Sequence, residues 1–309
     1  MGRLAALMAL ACLALAGQAS ASDTGAAPVQ KSWKKIPQIA RIQNPDRTFT
    51  PGADLDMIRA RGWIEFGVYG DFFPYSWEDG EAVRGIDVDL GRLIAQELGV
   101  EARFRVMAAD ETVDDDLRNF VWKGPLIGPE RNVVNVMMHV PWDRELDIRN
   151  ELIVLTAKYM VEETAIAYDS AVYPDGGPVP AYFRFDPVAV ENDSLADFYL
   201  SGIANGQLLP MMHRYPTVPE AMDALKAGTV KAVMGPLSQL QAAAGTAISV
   251  HKPPLPGLSM GRWTLSMAVR HNYRRLGYAV DDAIAAVIAD GRMAEVFATY
   301  GVDFTAPQR

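Results

Sequence analysis

The chain has almost no cysteine: one in 309 residues, at Cys12 inside its apolar opening. If that opening is removed, no thiol remains, which excludes disulfides and thiolate metal sites. It also lacks any later apolar run long enough to cross a bilayer. Basic residues form no block; Lys and Arg number 29 against 38 Asp and Glu, for a net charge of −9 and a pI near 5.0. That balance argues against a general binder of nucleic acid or anionic membranes. There is no phosphate loop, dinucleotide fingerprint or nucleophile elbow. The four histidines, His139, His213, His251 and His271, show no metal-binding spacing. No cofactor, metal or enzymatic activity is expected.

Ordinary globular material makes up the rest, with 50% hydrophobic and 22% charged residues. Residues 1–21 combine Arg3, an apolar core from Leu4 to Ala16, and Ala19-Ser20-Ala21. A basic start, a short apolar core and small residues at the end read as a secretory signal cut after Ala21. Residues 22–54 read as a partly extended N-terminal extension, with four prolines and the basic cluster Lys31, Lys34 and Lys35.

From Leu55 the pattern is regular. A short helix capped by Asp54 or Asp56 ends near Gly62, and Trp63–Tyr69 reads as a strand. The aromatic loop GDFFPYSWEDG follows, then an amphipathic helix Ile86–Leu98 stopped by Gly99 and a strand at Ala102–Met107. Strand, helix and strand at this spacing imply a parallel sheet. Asp110, Glu111, Asp114, Asp115 and Asp116 lack the pattern of a calcium loop and suit the first turn of a helix.

The segment NVVNVMMHVPWDR, Asn132 to Arg144, begins as a strand of a type buried on both faces and ends in polar and aromatic groups. Ligands of such sheets bind beyond the carboxyl ends of the strands, where His139, Trp142, Asp143 and Arg144 emerge. Either Arg144 anchors an anion in a cleft or it is a surface arginine after an ordinary strand. Further strands are expected at Leu152–Leu155, Thr164–Tyr168, Val188–Val190, Val230–Met234 and Trp263–Val269. Helices are expected at Leu195–Ile203, Val218–Lys226, Ala279–Ala289 and Arg292–Tyr300. Two α/β blocks and a return give two lobes, 55–166 plus 260–309 and 167–259, with a cleft between them.

From about Asp56 to Phe304 the chain resembles the periplasmic solute-binding proteins of the amino-acid type, family 3. Four segments carry the likeness in order: GDFFPYSWEDG with GIDVDLGRLIAQELG, NVVNVMMHVPWDR, VAVENDSLADF, and MAVRHN with DGRMAEVFATYGV. The resemblance implies an α/β, two-lobed type II periplasmic binding protein fold. Each lobe is a mixed, mostly parallel sheet flanked by helices, and two crossover strands join the lobes. It also implies a periplasmic protein that closes around a solute and delivers it to an ABC permease in the inner membrane.

Matched residue by residue, Arg144 takes the place of the family's carboxylate-binding arginine, and its planar fork suits that role. His139 stands where a small hydroxyl residue is usual. Phe72 matches the stacking aromatic, Ser194 the hydroxyl at a helix start, and Tyr75 and Trp142 join them as candidate contacts. The acid that would hold an ammonium group should fall near Val233-Met234-Gly235-Pro236, and none is there. A small anionic, carboxylate-bearing solute other than a standard amino acid is therefore expected. VMMHVPWDRELDIRNE and the extension also resemble a divergent subgroup encoded with PQQ-dependent methanol dehydrogenases. That likeness implies an accessory role beside a periplasmic quinoprotein dehydrogenase or cytochrome c, with little solute binding.

Overall fold

A computed structural model describes residues 52–125 and 132–308. The expected signal segment, the extension up to residue 51 and most of the KGPLIGPER loop lie outside the described residues.

Helix α1 (Leu55–Arg61) starts where Asp54 accepts from the Met57 N–H and stops at Gly62 in the left-handed region. Strand β1 (Trp63–Tyr69) leads into a small three-stranded sheet, β2 (Asp71–Phe72), β3 (Ser76–Asp79) and β4 (Ala82–Arg84). Helix α2 (Ile86–Leu98) then returns the chain to β5 (Glu101–Met107), which pairs parallel to β1 as the spacing predicts. The acidic cluster does open a helix, α3 (Val113–Leu117), with Thr112 capping it and a π-helical turn at Arg118–Trp122 after it.

Strand β6 (Val136–Pro141) lies parallel to β1. Its side chains alternate between two cores: Val136 and Met138 pack with α2 and the C-terminal helices, Met137 and Val140 with α3 and its neighbours. Each fully buried side chain of this kind contributes about 1.5–3 kcal/mol. An unbroken apolar run is what a sheet covered on both faces requires. Helix α4 (Arg144–Arg149) follows directly.

Strand β7 (Ile153–Asp169) runs for 17 residues where two short strands were expected. Its first part pairs with β12 and its last with β10 and β11. It runs unbroken through Glu162-Glu163, which lie between the two expected segments. Glu162 is buried at 2% exposure and its oxygens accept bonds from other elements.

The second half contains β8 (Val188–Glu191), α5 (Leu195–Gly202), β9 (Met212–Tyr215), α6 (Val218–Lys226), β10 (Ala232–Pro236), α7 (Leu237–Ala244) and β11 (Ile248–His251). Strands β10, β8 and β9 are mutually parallel. One face is covered by α6 and α7, the other by α5. Residues 252–261 return the chain to β12 (Arg262–Arg270), whose first residue lies opposite Glu163. Helices α8 (Arg274–Ala289) and α9 (Arg292–Thr299) close the first half. Strand order is β5-β1-β6-β12-β7-β10-β8-β9, with β11 also on β7. The chain thus passes between the halves along β7 and back through the 252–261 loop.

Candidate functional site

Where the halves meet, a cavity of about 780 Å³ opens, within the size range of small-molecule sites. The first half contributes Phe72, Val113 and, from the turn after β6, Pro141, Trp142, Asp143, Glu145, Leu146 and Arg149. The second contributes the β8–α5 turn, Glu191 to Ala196, and Gly235, Pro236 and Gln239. Thr164, Met260, Arg262 and Trp263 complete the lining from the connecting segments.

Three of the six sequence-predicted residues line this cavity: Phe72, Trp142 and Ser194. Trp142 is exposed at 42%, with Lys158 Nζ 4.5 Å from its ring centroid. Ser194 caps α5, accepting from the Asp197 N–H at 3.2 Å.

His139 and Tyr75 lie behind Phe72 instead. The two strands beside β12 lose register opposite Ser266–Met267, and His139 of β6 and Ala157 of β7 take φ of 61° and 51° there. Such bulges re-aim side chains. Here they bring the Tyr159 hydroxyl to 3.2 Å from His139 Nδ1, and that nitrogen to 3.3 Å from Asp87 Oδ2. Tyr159 also donates to Asp87 Oδ1 at 2.9 Å. Phe72 and Tyr75 pack against the imidazole, at 4.7 and 4.3 Å between centroids. Burial, reinforced by the Asp87 carboxylate, holds the Tyr159 phenol well above its ordinary range.

Arg144 does not line the cavity. Asp143 accepts from the Leu146 N–H at 2.7 Å, and this cap starts α4 at Arg144 itself. The turn then gives Glu145, Leu146 and Arg149 to the cavity and leaves Arg144 exposed outside it. The sequence placed the arginine correctly after the strand but gave no sign that the helix begins so early.

Sequence reasoning also missed Glu191, Arg149, Thr164, Gln239, Met260 and Trp263 as lining residues. Glu191 was legible as the residue after VAV at the end of a strand. Its carboxyl is held above the usual range by burial and, secondarily, by the charge of Asp71 on β2. Arg149 is held bidentately by Asp114, with 2.8 and 3.0 Å contacts, and Arg262 lies 3.2 Å from Glu163. The helix dipole at the start of α5 already faces a carboxylate of the chain, Asp197, which also binds Arg214. Gly235 and Pro236 line the cavity without charge, as read from the sequence.

Two covered half-sheets, joined by a shared strand and enclosing a cavity at their junction, define a two-lobed binding protein of the type II periplasmic class. The chain matches the bacterial extracellular solute-binding proteins, family 3, over residues 64–303, and it belongs to that family. An ancestral cationic amino acid solute-binding protein is similar in structure, with a TM-score of 0.65 and 20% identity, covering 80% of this chain and 99% of that one. An amino acid ABC transporter substrate-binding protein from Streptococcus pneumoniae, bound to L-arginine, gives a TM-score of 0.55 at 19% identity over 82% and 99% of the two chains. A solute receptor for L-cysteine from Neisseria gonorrhoeae gives 0.54 at 20% identity over 80% and 93%. At this identity the likeness establishes the fold. No curated protein matches the chain.

Proposed function

We propose that this chain is exported to the periplasm, captures a small solute in the cavity between its lobes and presents it to an ABC permease. The observation that carries the reading is the position of the cavity: its lining is drawn from both halves and from the segments that connect them. A solute touching both halves stabilises the arrangement in which they approach, which is the physical basis of hinge closure. The bend falls near Thr164 on β7 and in the 252–261 return. Phe72, Trp142 and Trp263 supply broad faces for a flat or apolar body, and Ser194 lies at the second-lobe wall.

The carboxylate-bearing ligand implied by the resemblance would need Arg144, and that side chain lies outside the lining. The two arginines inside it are engaged by carboxylates of the chain. Capture of a solute is therefore the part of the expectation that the cavity supports, and an anionic solute is not. A binding role also suits the buried cluster of Asp87, His139 and Tyr159, which lies behind Phe72 and not on the cavity wall.

The test is native mass spectrometry of protein purified from its host without refolding, together with thermal melts before and after dialysis. A retained small molecule whose removal lowers the Tm is expected, because a ligand that binds only the folded form must stabilise it. An empty protein with an unchanged Tm, copurifying with a quinoprotein dehydrogenase, would favour the accessory role.

A further inference from the structure

The cavity lining carries four carboxylates, Asp143, Glu145, Glu191 and Asp193, against two guanidiniums, Arg149 and Arg262. The guanidiniums are committed: Arg149 to Asp114 and Arg262 to Glu163, both outside the lining. None of the four carboxylates is in an ion pair among the described residues, and they differ in how far they are otherwise occupied. Asp143 caps α4, and Asp193 accepts from Asn192 Nδ2 at 2.5 Å. Glu145 is exposed. Glu191 is half-buried at the end of β8, with neither a cation nor a hydrogen-bond donor on its side chain among the described residues.

A partly desolvated carboxylate with no partner, in a cavity of net negative charge, is an incomplete interaction. An anionic ligand would worsen it, whereas a cation would complete it. The like charge of Asp71 on the facing lobe strengthens the case. A positive group on Glu191 would offset the like charge that Asp71 of the first lobe brings to bear on it. The same contact would therefore favour closure. Phe72 and Trp263 add aromatic faces to which a cation or a flat body is attracted, while the Trp142 ring already carries Lys158 Nζ at 4.5 Å from its centroid.

We propose that Glu191 is the specificity-determining contact of this cavity and that the solute is an organic cation. Its positive head is an amine, guanidine or quaternary ammonium on Glu191, and its flat or apolar body lies among the aromatic side chains. No carboxylate anchor is required of it. This rests on the solute-capture reading and narrows it to one class of charge.

The test compares three probes of matched shape, phenethylamine, 2-phenylethanol and 3-phenylpropionate, by thermal shift and calorimetry. The full exported chain is compared with its Glu191→Gln and Arg144→Gln variants. Glu191→Gln keeps the shape and removes the charge. The expected result is a Tm increase with the amine, a smaller one with the alcohol and none with the carboxylate. Glu191→Gln should weaken amine binding about tenfold or more, and Arg144→Gln should leave it unchanged. Preference for the carboxylate, lost in Arg144→Gln and kept in Glu191→Gln, would overturn the charge assignment and leave solute capture standing. If no probe binds, native mass spectrometry decides. A retained cation absent from Glu191→Gln supports the assignment, and a retained neutral or anionic molecule overturns it. No retained molecule at all overturns solute capture and the assignment together.

Discussion

The Tyr75 hydroxyl donates to Glu162 Oε2 at 2.9 Å, and both groups are almost wholly buried. Glu162 sits on β7, the strand shared by both halves. Its carboxylate also accepts from the Ser238 N–H at 3.2 Å and from the Ser238 hydroxyl, at the start of α7 in the second half. One buried carboxylate thus joins a loop of the first half to a helix of the second. Burial, with Glu162's charge in support, pushes the Tyr75 phenol well above its ordinary range, so it remains a donor.

Tyr75→Phe removes that donor and leaves a buried charge with fewer partners. The expected cost is about 1–3 kcal/mol, read from urea denaturation. A cost near zero would mean that Ser238 and the Glu163 N–H together satisfy the carboxylate.

Gly85 sets the position of Tyr75. Its φ of 131° lets the chain turn into α2, where the Asp87 N–H donates to the Tyr75 carbonyl at 2.9 Å. A Cβ at Gly85 would collide with that carbonyl oxygen. Gly85→Ala combines an unfavourable backbone with overpacking and should destabilise by about 2–4 kcal/mol. Gly80→Ala, where no atom lies near the new Cβ, should cost only the backbone part.

Further contacts of α7 hold the halves in their present relation. Gln239 Nε2 donates to the Phe73 carbonyl at 3.0 Å. Gln241 Nε2 donates to Asp303 Oδ2 at 2.7 Å, while the Asp303 N–H donates back to Gln241 Oε1 at 3.1 Å. Gln241→Ala should loosen this seam with little loss of stability, because the pair is exposed. Small-angle scattering of the unliganded protein should show a larger radius of gyration than wild type. An unchanged radius would place the restraint elsewhere, with Glu162 the first candidate.

Two carboxyls in and beside the cavity respond to pH in opposite directions. Glu191 is raised above its unfolded value, chiefly by burial. It therefore costs stability where it is ionised, and the cost is relieved as pH falls through its folded pKa. Asp114 is lowered, chiefly by its hydrogen bonds from Arg149. Its contribution is present above its unfolded value and lost as pH falls through its folded one. Binding of an organic cation needs Glu191 ionised, so amine affinity should fall on acidification at a higher pH than an ordinary glutamate would give. Calorimetry across a pH series reads this, and the dependence should vanish in Glu191→Gln.

Much of the fold was legible because local signals and tertiary structure agree. Asp54 and Gly62 bound α1, Gly99 stops α2, and the run around Val136 to Met138 marks a strand buried on both faces. β7 was not legible as one strand, because Glu162 looks like a break until the bonds it receives from Tyr75 and Ser238 are known. Helix α7 was missed for a related reason. It has no side-chain cap, and Pro236 introduces it from the end of β10. Of the candidate residues, Phe72 and Ser194 came from the family resemblance and Trp142 from its place at the end of a buried strand, and all three line the cavity. Arg144 stands outside the cavity lining because a single hydrogen bond, from the Leu146 N–H to Asp143, starts α4 at that residue. Glu191 was passed over because an acid at a strand end says nothing in sequence about whether a cation waits beside it.

The proposed solute is an organic cation held against Glu191 in the cavity between the lobes. A crystal structure of the protein carried from its host without refolding, or soaked with phenethylamine, tests it most directly. The expected result is a ligand among Phe72, Trp142 and Trp263 with its positive group in hydrogen-bond contact with the Glu191 carboxylate. A ligand whose carboxylate rests on an inward-turned Arg144, with Glu191 bare, would contradict it.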